Sequence, residues 1–171
     1  MVALLKNHMI FASFVLNFAA IGQGGSSGSN FTSGKGFGNF SDDTVRVYRV
    51  ESERNARILI NEIGEVVIQG DDVLFLNFGQ RARADEFWQR RLLQYPDTPS
   101  QIKSFEVPKS YVDELRAIAV KERSSRRIST NRDKPIMVDI KKAPDQYGLR
   151  TKEHIDRLRS VIIQGTGIIE L

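Results

Sequence analysis

Apolar residues between positions 44 and 171 change their spacing several times, and each change marks an element. Val45, Val47, Tyr48 and Val50 make a short β-branched and aromatic stretch suited to a strand. The apolar triplets at 58–60 and 66–68 flank a polar segment whose Gly64 supplies a turn, which predicts a hairpin. Residues 73–78 (VLFLNF) form a nearly continuous apolar run of strand length, buried on both faces as a central strand, and Gly79 ends it. From 81 to 93, Ala84, Phe87, Trp88, Arg91 and Leu92 recur at helical spacing with charges between them, so a helix is predicted that stops before Pro96 and packs Phe87 and Trp88 on the sheet.

Residues 102–107 alternate as a strand, Pro108 opens the next segment, and Tyr111, Leu115 and Ile118 or Ala119 form a second helical stripe. Residues 135–140 read as another strand. Thr151 is placed to cap a helix carrying Ile155, Leu158 and Arg159, and 161–163 with Ile168 and Ile169 close around Gly165-Thr166-Gly167. Many strands with short helices predict an α+β domain built on a compact mixed sheet.

Upstream the pattern differs. Residues 9–21 are apolar apart from Ser13 and Asn17, a run shorter than the ~20 residues needed to cross a bilayer core. With Lys6 before it and Ala19, Ala20 and Gly22 near its end, the run resembles a secretory signal peptide or a piece of a larger delivery apparatus. Gly, Ser and Asn dominate 24–40, a composition that reads as flexible linker. The chain therefore divides into an N-terminal segment and linker, 1–43, and a single domain, 44–171, without stable insertion of the latter into a membrane.

Composition narrows the chemistry. The chain has no cysteine, which excludes a disulfide framework, a thiolate nucleophile and a cysteine-based zinc site. His8 and His154 are the only histidines, too few for a His-rich metal centre or a Ser-His-Asp arrangement. Chemistry falls to Arg, Lys, Asp, Glu, Gln, Tyr and Ser, with no metal. A net charge of +4, from 25 basic and 21 acidic residues, helps an anionic partner without requiring one. Arg123, Arg126, Arg127, Arg132 and Lys134 crowd a Ser-rich stretch without apolar periodicity, read either as a solvated loop or as a mobile loop that meets phosphates or an acidic partner.

Candidate site residues come from polar groups in apolar surroundings. Arg49, within 47–50 (VYRV), is costly inside a strand unless it meets an anion or a hydrogen-bonded pocket, or else it points to the solvent face of an edge strand or pairs with Glu51 or Glu53. Asn77 interrupts an apolar strand, and Gly79 leads straight into a helix, where backbone N–H groups can hold a phosphate or simply form a turn. Residues 143–150 (APDQYGLR) read as a polar loop placing Asp145 and Gln146 beside Tyr147 and a Gly hinge, or as an Asp-initiated turn with Tyr147 as a lid.

The stretches 47–50, 74–87 (LFLNFGQRARADEF), 102–116 (IKSFEVPKSYVDELR), 142–149 (KAPDQYGL) and 161–167 (VIIQGTG) together resemble the C-terminal toxin domains of Rhs-type polymorphic toxins, and among them the TreTu ADP-ribosyltransferases that act on elongation factor Tu. The resemblance implies an ADP-ribosyltransferase-like fold, NAD as substrate, and a toxin secreted or injected by its producer that acts in the target-cell cytoplasm. It also implies a cognate immunity protein and a translation protein as target, with RNA the other acceptor class. That layout asks for an early strand arginine after an aromatic, which Tyr48-Arg49 matches, and for a hydroxyl-bearing strand beside the nicotinamide, where 76–78 carry no Ser or Thr. It asks finally for an acidic or amide residue near the acceptor, for which Asp145, Gln146, Gln164 and Glu170 are candidates. On these grounds Arg49, Asp145 and Gln146 are the expected catalytic residues, and Tyr48, Arg49, Asn77, Phe78, Gly79 and Tyr147 the expected NAD contacts. A metal-independent ribonuclease using His154 and the basic stretch is the alternative.

Overall fold

The computed structural model describes residues 43–141 and 143–170, so the apolar segment and linker assigned to 1–43 lie outside the described residues except for Asp43. Its strands are β1 (Thr44–Ser52), β2 (Ile58–Ile60), β3 (Val66–Ile68), β4 (Leu74–Phe78), β5 (Ser100–Pro108), β6 (Val120–Lys121), β7 (Ile136–Asp139), β8 (Ala143–Leu149) and β9 (Ile163–Glu170). Its helices are α1 (Arg81–Gln94), α2 (Lys109–Ile118), α3 (Glu122–Arg127) and α4 (Lys152–Val161). Seven strands form one sheet in the order β6-β7-β8-β4-β1-β5-β9, while β2 and β3 pair separately. Only β6 and β7 run parallel, so the expected α+β class with a mixed sheet and short helices is what the chain forms.

β1 is the axis. It pairs with β5 along its whole length, from Thr44 opposite Pro108 to Ser52 opposite Ser100. With β4 it shares only Val47 opposite Phe78 and Tyr48 opposite Asn77, so the two strands part beyond Tyr48. Side chains directly opposite across strands share a face, which sorts the sheet into two surfaces. One carries Val47, Leu74, Leu76, Phe78, Phe105, Val107, Tyr147 and Leu149 and is the hydrophobic core, completed by Tyr111, Val112 and Leu115 of α2, Ile155 and Leu158 of α4, and Ile58, Val66 and Ile68 of the small sheet. Full burial of each such aliphatic or aromatic side chain contributes about 1.5–3 kcal/mol. The other surface carries Arg46, Tyr48, Asn77, Ser104, Glu106 and Gln146, and α1 lies over it, anchored where Trp88 Nε1 donates to the Ser100 carbonyl at 2.7 Å.

Most predicted elements are present within a residue or two. Thr151 caps α4 by accepting from the His154 backbone N–H at 3.4 Å, and Ile155 and Leu158 are buried as their spacing requires. Residues 143–150 differ: the expected loop is strand β8, hydrogen-bonded to β4 on one side and β7 on the other. Pro144, Asp145 and Gly148 give it the composition of a turn. Gly148 is there for packing, because a Cβ would lie 2.7 Å from the Phe75 ring. The basic stretch is not a loop throughout, since 122–127 form α3, whose Arg126 pairs with Glu122 at 2.5 Å while Arg123 and Arg127 remain exposed.

Arg159, grouped above with the apolar stripe, instead donates to the carbonyls of Ile68 and Gly70 and pairs with Asp71 at 2.9 Å. Arg57 reaches the same segment, donating to the carbonyls of Gln69, Gly70, Asp72 and Val73. Two arginines thus satisfy backbone acceptors that the turn after β3 leaves unpaired.

The β2–β3 turn is fitted to β9. Gly64 has φ +77°, and its carbonyl accepts from the N–H groups of Gly165 at 3.0 Å and Gly167 at 2.9 Å. A Cβ on Gly64 would sit 2.7 Å from the Gly165 carbonyl oxygen, so both the backbone conformation and the contact demand glycine. Gly64→Ala is expected to lower stability by about 1–3 kcal/mol in denaturant titration; an unchanged midpoint would show that this turn does not seat on β9 as described.

Candidate functional site

The polar surface of the sheet holds two groupings. The first spans β1, β5 and β9. Alternation sends Arg46 to the face opposite Val47, where its Nη2 meets Glu106 Oε1 at 2.7 Å and its Nη1 donates to Ser104 Oγ at 3.2 Å and to the Thr166 carbonyl at 3.4 Å. Ser104 Oγ in turn donates to Glu170 Oε1 at 3.1 Å. A register shift between Ser104 and Glu106 lets Thr166 Oγ1 accept from the Glu106 N–H at 2.9 Å. Arg81, in the first turn of α1, pairs with the other oxygen of Glu170 and lies over the Tyr48 ring, 5.9 Å from its centroid. Ser104 is fully buried, whereas the side chains of Arg46 and Glu170 each keep 22% of their surface, so both charges are reachable from outside. Glu170 is thus held by one hydroxyl and paired with one guanidinium, that of Arg81, while Arg46 is paired with Glu106, and each keeps an exposed edge at which a substrate charge of opposite sign can compete for it.

The second grouping is a cleft of about 350 Å³ between α1 and the strands. Its floor is a register row, Tyr48 opposite Asn77 and Asn77 opposite Gln146, and Phe87, Arg90, Arg91 and Tyr95 stand over it. Asn77 Nδ2 donates to the Gln80 carbonyl at 2.7 Å, which fixes the amide and turns Oδ1 the other way. Asn77 Oδ1 and Gln146 Oε1 are buried and have no hydrogen-bond partner among the described residues.

Arg49 lines this cleft but is already engaged. Its Nε pairs with Glu51 Oε2 at 2.7 Å and its Nη1 donates to the Phe75 carbonyl at 2.9 Å, closing the wedge where β1 and β4 part. Glu51 is buried; it also accepts from the N–H groups of Arg57 at 3.1 Å and Ile58 at 2.9 Å and pairs with Lys103 at 3.2 Å. Burial alone would push its carboxyl up, but the Arg49 hydrogen bond and those two backbone donors outweigh it and hold the carboxyl below its ordinary value of 4.5.

Of the residues named from sequence, Tyr48, Arg49, Asn77 and Gln146 meet in the cleft. The others are elsewhere. Phe78 and Tyr147 lie one residue out of phase, on the core face, where their rings pack edge to face at 5.7 Å and Phe78 meets Tyr111 at 6.3 Å. Asp145 shares that face, takes both Nε and Nη2 of Arg116 at 3.0 Å, and accepts from Tyr147 Oη at 3.3 Å. Burial first, and then the Asp145 charge, push the Tyr147 phenol up. Gly79 has φ +75° and gives its N–H to the Arg46 carbonyl at 2.8 Å, so it forms the turn rather than an anion cradle. Gln164 imitates a strand, accepting from the Val66 N–H at 2.7 Å and donating to the Val66 carbonyl at 3.2 Å. His154 is bonded through Nδ1 to Thr151 Oγ1 at 2.9 Å, and burial holds its imidazole below the usual range.

Sequence reading passed over Arg46, Ser104, Glu106 and Thr166. The signal was present in 103–107, where Ser104 and Glu106 alternate with Lys103, Phe105 and Val107, a second polar face on a strand otherwise read as core.

No protein-family model, curated protein or solved structure matches the chain.

Among the described residues no group of three or more His, Cys, Asp or Glu is placed to hold a metal ion, and no helix is long and apolar enough to cross a membrane.

The Arg49–Glu51–Lys103 cluster sets a pH response. Because the folded carboxyl of Glu51 is depressed, its contribution is fully present above the unfolded value of 4.5 and is lost as pH falls through the lower folded value. Glu51→Gln is therefore expected to cost about 3–5 kcal/mol at pH 7, since it leaves Arg49 and Lys103 without their shared anion, and to flatten the fall in stability expected of the parent below pH 4.5. Thermal melts of both proteins across acid pH measure this, and equal acid sensitivity would refute it.

Proposed function

We propose that the chain is an antibacterial toxin that transfers ADP-ribose from NAD to a cytosolic target, a translation protein of the elongation factor Tu type. The observation that carries this reading is the hydrogen-bonded row Arg46, Ser104 and Glu170 on adjoining strands. The toxin resemblance asks for an early strand arginine after an aromatic, a hydroxyl-bearing strand beside the nicotinamide and an acidic or amide residue near the acceptor; Arg46 follows Val45 and so departs from the first in its neighbour. β1, β5 and β9 carry the arginine, the hydroxyl and the carboxylate in that chain order. Arg46 thus takes the place first given to Arg49, Ser104 fills the hydroxyl position missing from 76–78, and Glu170 stands in preference to Asp145, Gln146 and Gln164.

In this reading Arg46 holds the diphosphate of NAD. As the bond between the ribose anomeric carbon and the nicotinamide nitrogen breaks, its electron pair leaves with nicotinamide and positive charge builds on the ribose. Glu170 faces that charge and stabilises it, while the Ser104 hydroxyl keeps the carboxylate in place. The acceptor nucleophile then bonds the anomeric carbon and gives up its proton. Arg81, pairing with Glu170 from α1, restrains the carboxylate from the opposite side. A toxin of this kind is delivered into the target-cell cytoplasm, and its producer needs an immunity protein.

The ribonuclease alternative draws less support, because its proposed acid or base, His154, is bonded to its own helix cap.

The test is label transfer from radiolabelled NAD in a bacterial lysate, followed by separate protease and RNase digestion. Label that protease removes and RNase leaves is expected; the reverse would make RNA the acceptor, and no transfer would defeat the reading. Glu170→Gln should lower nicotinamide release by about 10²–10³-fold with an unchanged melting temperature, and undiminished release would remove Glu170 from the site.

A further inference from the structure

We propose that the basic face formed by α3, the segment after it and the end of β7 docks an acidic protein segment that also carries aliphatic side chains. This face does not rest on the transferase reading, since β6 and β7 stand at one edge of the sheet and β9, which carries Glu170, at the other.

Charge is the first observation. Residues 121–141 hold seven basic and three acidic side chains, a net +4 that equals the net charge of the whole chain, so the remaining residues balance. α3 presents this charge on one side: Arg123, Arg126 and Arg127 are spaced i, i+3 and i+4 and are exposed, while Ser125 is buried, its Oγ donating to the Glu122 carbonyl at 2.8 Å. Only Arg126 has an acidic partner on the helix, Glu122. Lys121, Arg123, Arg127, Arg132 and Lys134 are exposed and make no ion pair among the described residues. Like charges one helical turn apart repel, and an anionic partner relieves that repulsion.

Apolar surface is the second observation. A hollow of about 350 Å³ is lined by Lys121, Arg123 and Lys141 together with Met137, Val138 and Ile140. Ile140 and Ile128, the residue that ends α3, are exposed by 41% and 49%. Aliphatic surface among unpaired cations fits a protein segment, whose own aliphatic side chains cover the hollow while its carboxylates take the guanidinium groups in forked pairs. A nucleic-acid backbone brings nothing apolar to bury, and its bases find no stacking partner, because 121–141 contain no aromatic residue. Glu122, Asp133 and Asp139 also interrupt the positive stripe that a continuous run of phosphates requires.

Fluorescence anisotropy with the full 171-residue chain tests this. The probes are a short labelled peptide of mixed glutamate and leucine, the same peptide with serine in place of leucine, and a short RNA in single-stranded and duplex form. The glutamate-leucine peptide should bind saturably at low salt, and the serine peptide and both RNAs should bind at least several-fold more weakly. Arg123→Glu should weaken the peptide by about five- to tenfold at low salt and little at high salt, and Arg127→Glu, expected to act alike, guards against a folding defect in the first variant. Ile140→Ser should weaken it by about threefold at either salt concentration. Arg54→Glu, the same change of charge at an exposed site on the short turn after β1, should leave binding unchanged. The proposal is overturned if the glutamate-leucine peptide does not bind, if the serine peptide binds as well, if either RNA binds more tightly, or if Arg54→Glu weakens binding as much as Arg123→Glu.

Discussion

Arg46 crosses from β1 to β5, where it meets Glu106 and Ser104, and Ser104 passes the contact on to Glu170 of β9. A guanidinium set into a sheet is tolerated only when nearly every donor finds an acceptor. Here two side chains and the Thr166 carbonyl provide them. The constraint propagates outward. The register shift between β5 and β9 exists at this point, Thr166 closes it, and Arg81 ties the start of α1 to the same carboxylate. With the hydrophobic core confined to the opposite face, this surface is left to polar side chains and to α1.

The two arginines of β1 differ in strand parity and in what lies across from them. Arg49 points with Val47 toward the core side, meets buried Glu51 and caps a carbonyl that β4 leaves free as it parts from β1. Arg46 points with Tyr48 toward the polar side, held by Glu106, Ser104 and the Thr166 carbonyl, and the two side chains keep similar exposure, 22% for Arg46 and 18% for Arg49. A sequence places both in one apolar strand and cannot say what each is fastened to, because the partners of Arg46 are Glu106, Ser104 and Thr166, nearly sixty residues or more away along the chain.

Local pattern made much of the fold legible. The hairpin of β2 and β3, the apolar run of β4, the amphipathic α1 and the Thr151 cap all follow from spacing and turn chemistry that neighbouring residues determine. Strand β8 was not legible, because Pro144, Asp145 and Gly148 have turn composition, and only pairing with β4 and β7 makes them a strand. The site was legible in part. Tyr48, Asn77 and Gln146 stand out as polar or aromatic residues among apolar ones and do meet in the cleft. Phe78, Asp145 and Tyr147 were assigned beside them by sequence adjacency, yet a strand sends neighbours to opposite faces. Ser104 and Glu170 came together only through the strand order β1-β5-β9, which no window of sequence contains.

The central claim of the proposed function is that Arg46, besides its place in the fold, serves the transfer chemistry and Arg49 does not, and comparing Arg46→Lys with Arg49→Lys tests it most directly, since lysine keeps the charge but loses the forked hydrogen bonding. Nicotinamide release from NAD and the melting temperature are measured on both. The account predicts that both variants melt lower, since each arginine loses an ion pair and further hydrogen bonds, and that at a temperature where both are folded Arg46→Lys loses about 10²-fold or more in release while Arg49→Lys stays within a few-fold. Loss of release in Arg49→Lys with full activity in Arg46→Lys would contradict it.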